Sequence, residues 1–403
     1  MKKVMVVAGG KWQIPLVKKA KEMGYYVLCS NLYEDSPAFK FADEFAVADI
    51  LDKERNLRIA MEFGPDAVVT DQSDIAVPTV AYICERLGIE GIGCDTASLF
   101  TNKYKMRSFS QKAGFASPAF CKCSTLDEMK AFLSKYNDII IKPLDSQSSR
   151  GVERITGDDC PDDLFVRAEK YSNNDEGIIA EQYISGTEFT VDGIKFADGH
   201  RSMIVSKKEH YKDYPNVASQ LYFSHYDPEF DYDRLKKQND RLVNMMGLSF
   251  GLTHAEYIFH NGEYYLVEIA ARGGGTNISS AIMYYMTGID SNRLLIEMAL
   301  GNCRNMSDYS IKDDHIKRCS ILKFFDFVPG RVKKVNGRDF LEDSDAILDF
   351  EINYTAGDFV GLPTDDSKRP GFYIAAAEDK DKLQSLITDV SSKVYLEYDD
   401  EDI

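Results

Sequence analysis

With 403 residues, 44% of them hydrophobic and 28% charged, the chain has the composition of a soluble globular protein and the length for two or three domains, each with its own core. Its 65 acidic against 48 basic residues leave a net charge of −17, which repels phosphate backbones and anionic lipid and argues against nucleic acid and membrane as partners. No stretch approaches the ~20 apolar residues of a membrane span. The eight cysteines include no C-x-x-C pair, so they read as free thiols of a reducing cytoplasm rather than as a zinc site or a disulfide framework.

The first hundred residues alternate strand and helix. Val4–Ala8 is continuously apolar, as a buried parallel strand is, and too short for a signal-peptide core. Gly9-Gly10 then turns into a helix reaching about Met23. Strands follow at Tyr26–Cys29, Val47–Asp49 and Ala67–Thr70, with helices at Lys53–Phe63 and Ala76–Leu87. This pattern predicts a doubly wound α/β domain over 1–96. Ligands of such sheets bind beyond the carboxyl ends of the strands, which places Gly9-Gly10 and Asp71–Asp74 near a ligand. The dinucleotide fingerprint G-x-G-x-x-G and the Walker A loop are absent.

Residues 97–305 mix runs of strands with helices at the ends, an α+β pattern. Strands are expected at Pro118–Cys121, Asp138–Ile141, Gly177–Glu181, Thr187–Ile194 and Met203–Lys207. The buried strand Ile139-Ile140-Ile141 ends in Lys142-Pro143, and a lysine there needs a counter-charge or a phosphate. The small polar loop Ser146–Gly151 follows it. Residues 306–403 read as a small α+β domain with Gly371–Ala377 as a strand, a helix through Ile387, a strand at Lys393–Glu397 and an acidic tail.

One hairpin carries most of the chemistry. The runs His254–Phe259 and Tyr264–Ala271 flank Asn261-Gly262, and each holds one carboxylate, Glu256 or Glu268, among residues that should be buried. Buried carboxylates are costly unless paired or bound to a metal. Two of them followed by Arg272 suit a magnesium–nucleotide site, oxygens for the hard cation and a guanidinium for phosphate or oxyanion. Register decides. A two-residue Asn261-Gly262 loop sets Glu256 opposite Val267 and turns Glu268 away. A three-residue loop, His260-Asn261-Gly262, gathers Glu256, Ile258, Leu266, Glu268 and Arg272 on one face and Tyr257, Phe259, Val267 and Ile269 on the other, and is the expected form. The plain alternative is a surface hairpin with two ordinary acids. The six histidines form no H-x-x-x-H pair; His254 borders Glu256 as a hydrogen-bonded neighbour.

Taken in order, Asn102-Lys103-x-x-Met106-Arg107, Ile141-Lys142-Pro143, the Ser146–Gly151 loop, Glu181-Gln182-Tyr183-Ile184-x-Gly186-x-Glu188, Glu256 and Glu268-x-x-x-Arg272 resemble the ATP-grasp superfamily of carboxylate–amine ligases. Relatives of carbamoyl phosphate synthase, biotin carboxylase and L-amino acid ligases share this order. The resemblance implies a pre-ATP-grasp domain at 1–96, an ATP-grasp domain at 97–305 and a C-terminal cap at 306–403. It implies that Lys103 and Lys142 touch the ATP phosphates and that Ser146, Ser148, Ser149, Arg150 and Gly151 close over them. Glu181, Gln182, Tyr183 and Ile184 would hold adenine, with Leu266 also against ATP, and Glu188 would hold the ribose. Glu256 and Glu268 would bind magnesium, or manganese, and Arg272 with Lys142 would be catalytic. The substrate would meet Asp74, Lys207 and the open run Gly273, Gly274, Gly275 and Asn277, whose backbone amides suit a carboxylate. One departure stands out: Ala270 replaces the asparagine that many relatives use as a further metal ligand.

The activity so implied is ADP-forming carbon–nitrogen ligation: a small carboxylate becomes an acyl phosphate at the expense of ATP, and an amine displaces the phosphate. The alternatives are a bicarbonate-using carboxylase or carbamoyl-phosphate-type synthase, and a non-catalytic ATP sensor. Partners are small molecules, and dimers are common among relatives.

Overall fold

The computed structural model describes all residues except 146–149, 158, 173–176, 303 and 400–403. The chain groups into two compact units, one made of 1–120, 190–204 and 231–310, the other of 121–189, 205–230 and 311–403. Both units are assembled from separated segments of the chain.

The first unit opens with a four-stranded parallel sheet in the spatial order Glu44–Val47, Tyr26–Asn31, Lys3–Val7, Ala67–Val69. Val4 pairs with Val27 on one side and Ala67 on the other. The third strand lies earlier than the expected Val47–Asp49. Met5, Val7 and Val68 meet Ala60, Phe63 and Ile83 of the helices Lys53–Phe63 and Val77–Leu87 in one core. Asp52 caps the first of these helices by accepting from Arg55 N at 2.9 Å, and Gly64, at φ 66°, ends it in the left-handed region. The same unit holds the helices Lys103–Lys112, Tyr232–Met245 and Ser291–Ala299 and the antiparallel strands Gly251–His260 and Glu263–Ala270.

In the second unit a sheet runs in the order Phe120–Cys123, Ile178–Gln182, Asp138–Pro143, Glu153–Thr156. Ile139, Ile141, Ile178 and Ala180 pack against Met129 and Phe165 of the helices Leu126–Tyr136 and Pro161–Glu169. Thr125 and Glu128 form a capping box at the start of the first helix. The C-terminal part pairs Cys319–Phe324 with Gly371–Ala377, which pairs in turn with Ile347–Ile352, beneath the helix Lys380–Lys393. No helix among the described residues is long and apolar enough to cross a membrane.

Candidate active site

The hairpin turns on two residues, not three. Asn261 (φ 48°) and Gly262 (φ 84°) are both left-handed, the primed turn that suits the twist of two paired strands. Phe259 pairs with Tyr264, Ile258 with Tyr265 and Tyr257 with Leu266, and the register then shifts by one residue, so that Glu256 stands opposite Glu268, Ala255 opposite Ile269 and His254 opposite Ala270. Val267 is the extra residue of a β-bulge. The expected loop and its pairing are therefore corrected, yet the carboxylates still share a face, now directly opposite each other, because the bulge restores the parity that the shorter loop removes. Leu266 pairs with the fully buried Tyr257, away from the acids, so it does not share their face.

Like charges directly opposite on neighbouring strands repel, and each of these carboxylates has a cation beside it. Lys103 Nζ lies 3.1 Å from Glu268, and His254 Nε2 lies 3.8 Å from Glu256 Oε1. The two carboxylates keep 30% and 37% of their side-chain surface exposed. His254 Nδ1 meets Asp192 Oδ1 at 2.9 Å. Burial works to lower the histidine pKa, but Asp192 and Glu256 prevail and hold it at about 9. Among the described residues no group of three or more His, Cys, Asp or Glu side chains is placed to hold a metal by itself. Two adjacent carboxylates still suit a hard cation whose remaining ligands are water and phosphate oxygens.

Beyond the second strand, Arg272 donates to Asp74 through Nε at 3.0 Å and Nη2 at 2.8 Å, and to Gly273 O through Nη1 at 2.9 Å. Burial opposes both charges, but each ion holds the other: the Asp74 pKa is lowered and that of Arg272 is raised. Asp71 is wholly buried. Its carboxylate accepts from Gly273 N at 2.8 Å and from the Ser279 hydroxyl at 2.6 Å, while burial raises its pKa. Gly274 N donates to Asp192 Oδ1 at 3.0 Å and Asn277 N to Gln72 Oε1 at 2.9 Å. The amides of Gly273, Gly274 and Asn277, expected to cradle a carboxylate, are thus directed at the chain's own side chains. Gln72, Thr276 and Asn277 all have positive φ (57°, 50° and 57°), a clustering of backbone strain typical of functional loops.

In the second unit Lys142 and Glu181 are both buried and paired at 2.8 Å, which answers the lysine's need for a counter-charge. Glu188 lies 3.4 Å from both Lys208 Nζ and His210 Nε2. Lys207, on the alternate side of the same strand, instead sits over the Phe230 ring, 4.0 Å from Glu229. Tyr183 N donates to Asp138 O at 3.1 Å, and its ring lies under Arg154, itself held by two hydrogen bonds to Asp138. Gln182 is exposed, and Ile184 is half-buried. Ser146, Ser148 and Ser149 lie outside the described residues. Arg150 is exposed; Gly151, at φ 70°, has Pro143 2.8 Å from where a Cβ would stand, so glycine is required there.

Residues 135–280 match the ATP-grasp domain family, and residues 323–399 match the L-amino acid ligase C-terminal domain 2. The chain carries an ATP-grasp domain over residues 135–280. It is 28% identical over 301 residues to alanine–anticapsin ligase of Bacillus subtilis strain 168, covering 65% of this chain and 61% of that one. It is 30% identical over 162 residues to the formate-dependent phosphoribosylglycinamide formyltransferase of Bacteroides thetaiotaomicron, covering 40% and 42%. The chain thus spans less than two thirds of the length of these relatives. Among solved structures, L-amino acid ligase from Bacillus licheniformis superposes with a TM-score of 0.80 over 99% of both chains at 20% identity. That likeness is one of fold.

The sequence pointed to most of the charged groups, and to His254 and Asp71 beside them, but not to Asp192 or Lys208 as their supports. Asp192, His254, Asp71, Lys208 and His210 each touch a residue that the reading singled out. Asp192 stands four residues after Glu188, and its burial next to a buried histidine became visible only in three dimensions.

Proposed function

We propose that the chain is an ADP-forming carboxylate–amine ligase that uses magnesium and ATP. The observation that carries this reading is the facing pair Glu256 and Glu268, each with a cation at its flank and an open side. When bound, magnesium would draw negative charge from the phosphate oxygens of ATP. Lys142, set against Glu181, would hold the phosphates, and Glu188 would accept from the ribose hydroxyls. Lys103, held 3.1 Å from Glu268, would be a further phosphate contact. Arg150 and Gly151 would cover the phosphates and keep water from an acyl phosphate.

Arg272 is held by Asp74 along one edge and by Gly273 O at a terminal nitrogen. The remaining outer N–H groups of its two terminal nitrogens would serve the oxyanion formed when the amine attacks. Its orientation is fixed before substrate arrives, so little reorganisation is needed at reaction. The pair gives Asp74 a positioning role beside its expected place in the substrate site.

The carboxylate is best read as an amino acid. The match of 323–399 to the C-terminal domain of L-amino acid ligases supports this over formate, the carboxylate named for the other relative. Phosphate release measured across amino acid and amine pairs tests the reading. Release that needs both partners supports it; release that depends on bicarbonate, or ATP binding with no release across the panel, overturns it in favour of the carboxylase or the sensor.

A further inference from the structure

We infer that Arg107 is a positioning residue that holds the hairpin in the register bringing Glu256 and Glu268 together. The inference rests on reading these acids as the metal site. With a two-residue turn and an unbroken ladder, Val267 would face Glu256, and Glu268 would fall opposite Ala255 on the other side of the hairpin. Only the bulge at Val267 prevents this. A bulge removes backbone groups from the ladder, and buried backbone groups must find other partners.

The helix Lys103–Lys112 supplies these partners from one face. Arg107, 4% exposed, donates through Nη1 to Leu266 O and through Nη2 to Val267 O at 3.2 Å. These are the carbonyls on either side of the step where the register changes. Met106 Sδ accepts from Ile269 N at 3.3 Å, and Lys103, one turn earlier, reaches Glu268 at 3.1 Å. A single helix face therefore engages residues 266, 267, 268 and 269. Only a planar guanidinium presents two parallel donors to adjacent carbonyls, so lysine at 107 would not replace it. The spacing Lys103-x-x-Met106-Arg107 gains a physical reason that phosphate binding alone does not give.

The test uses Mn2+ as the probe, titrated into the full chain with ADP and followed by electron paramagnetic resonance, alongside amide exchange of 263–270. Arg107→Met is expected to speed exchange in that strand and to weaken Mn2+ binding about 10- to 100-fold, the range for groups that orient metal ligands. Deleting Val267 leaves every cross-strand partner unchanged while removing the bulge. Arg107→Met combined with the deletion should therefore recover wild-type Mn2+ affinity within about threefold, less than the loss expected from an orienting group. If Arg107→Met alone does not fold, recovery of folding by the deletion supports the inference equally. A folded Arg107→Met variant with wild-type exchange and Mn2+ affinity overturns it, as does a double variant no better than the single one. Glu268→Gln binding Mn2+ like wild type would instead overturn the metal reading, while exchange in Arg107→Met would still report on the register.

Discussion

Lys142 and Glu181 show how a binding residue is also a structural one. Each is buried, and their 2.8 Å contact balances two charges removed from water. Lys142→Met should therefore cost about 3–5 kcal/mol of stability as well as ATP affinity, because a buried carboxylate loses its cation. Lys142→Met combined with Glu181→Gln should regain most of the stability and none of the ATP affinity, as read by denaturant unfolding and nucleotide titration. His200 carries a different signature. Its side chain is buried between Asp240 and Thr253, each at 2.7 Å, and burial outweighs Asp240 to lower its pKa. The folded histidine thus stays neutral where the unfolded one, with a pKa of about 6.5, takes up a proton. Its contribution to stability is full above that pH and declines as pH falls below it. Unfolding of wild type between pH 8 and 5 should show a steeper loss than His200→Gln; parallel curves would refute the assignment.

At the scale of elements, the loop after the second hairpin strand is set by three internal acceptors. A Cβ at Gly273 would collide with Ser279, and one at Gly274 would lie 2.6 Å from Asp192 Oδ1. Gly275 differs: its φ is not positive and nothing lies within 4 Å of a Cβ built there. Packing therefore does not demand glycine at 275, whereas close approach of a substrate would. Gly275→Ala should change stability by no more than about 0.5 kcal/mol while raising the KM for the carboxylate or amine. Unaltered KM values would remove Gly275 from the substrate site. The strained residues Gln72, Thr276 and Asn277 flank this position, and the π-helix Ile278–Ile282 follows it.

For the whole molecule, a ligand that binds only the folded state stabilises it in proportion to its saturation. Mg-ADP at about 100 times its Kd should add about 2.7 kcal/mol to the stability of the cooperative unit that binds it. Glu268→Gln should retain the response to ADP without metal and lose the increment that magnesium adds, read as melting temperature. An equal magnesium increment in both proteins would count against the carboxylate pair as its site. The sequence alone determined the alternation of strands and helices in the first unit, since burial on both faces writes continuous apolar runs such as Val4–Val7. It determined that Lys142, Glu256, Glu268 and Arg272 needed partners, because charge among apolar residues is costly wherever the chain goes. Which partners those are was decided in three dimensions. Asp74 and Arg272 are 198 residues apart, Asp192 and His254 are 62 apart, and Arg107 reaches the bulge from 159 residues away. The turn chemistry of Asn261-Gly262 favours the two-residue loop that forms, and the two acids called for a shared face, which no unbroken ladder from that loop provides. A bulge reconciled them, because register in a sheet depends on what fills the gap in its ladder, and a distant helix fills this one.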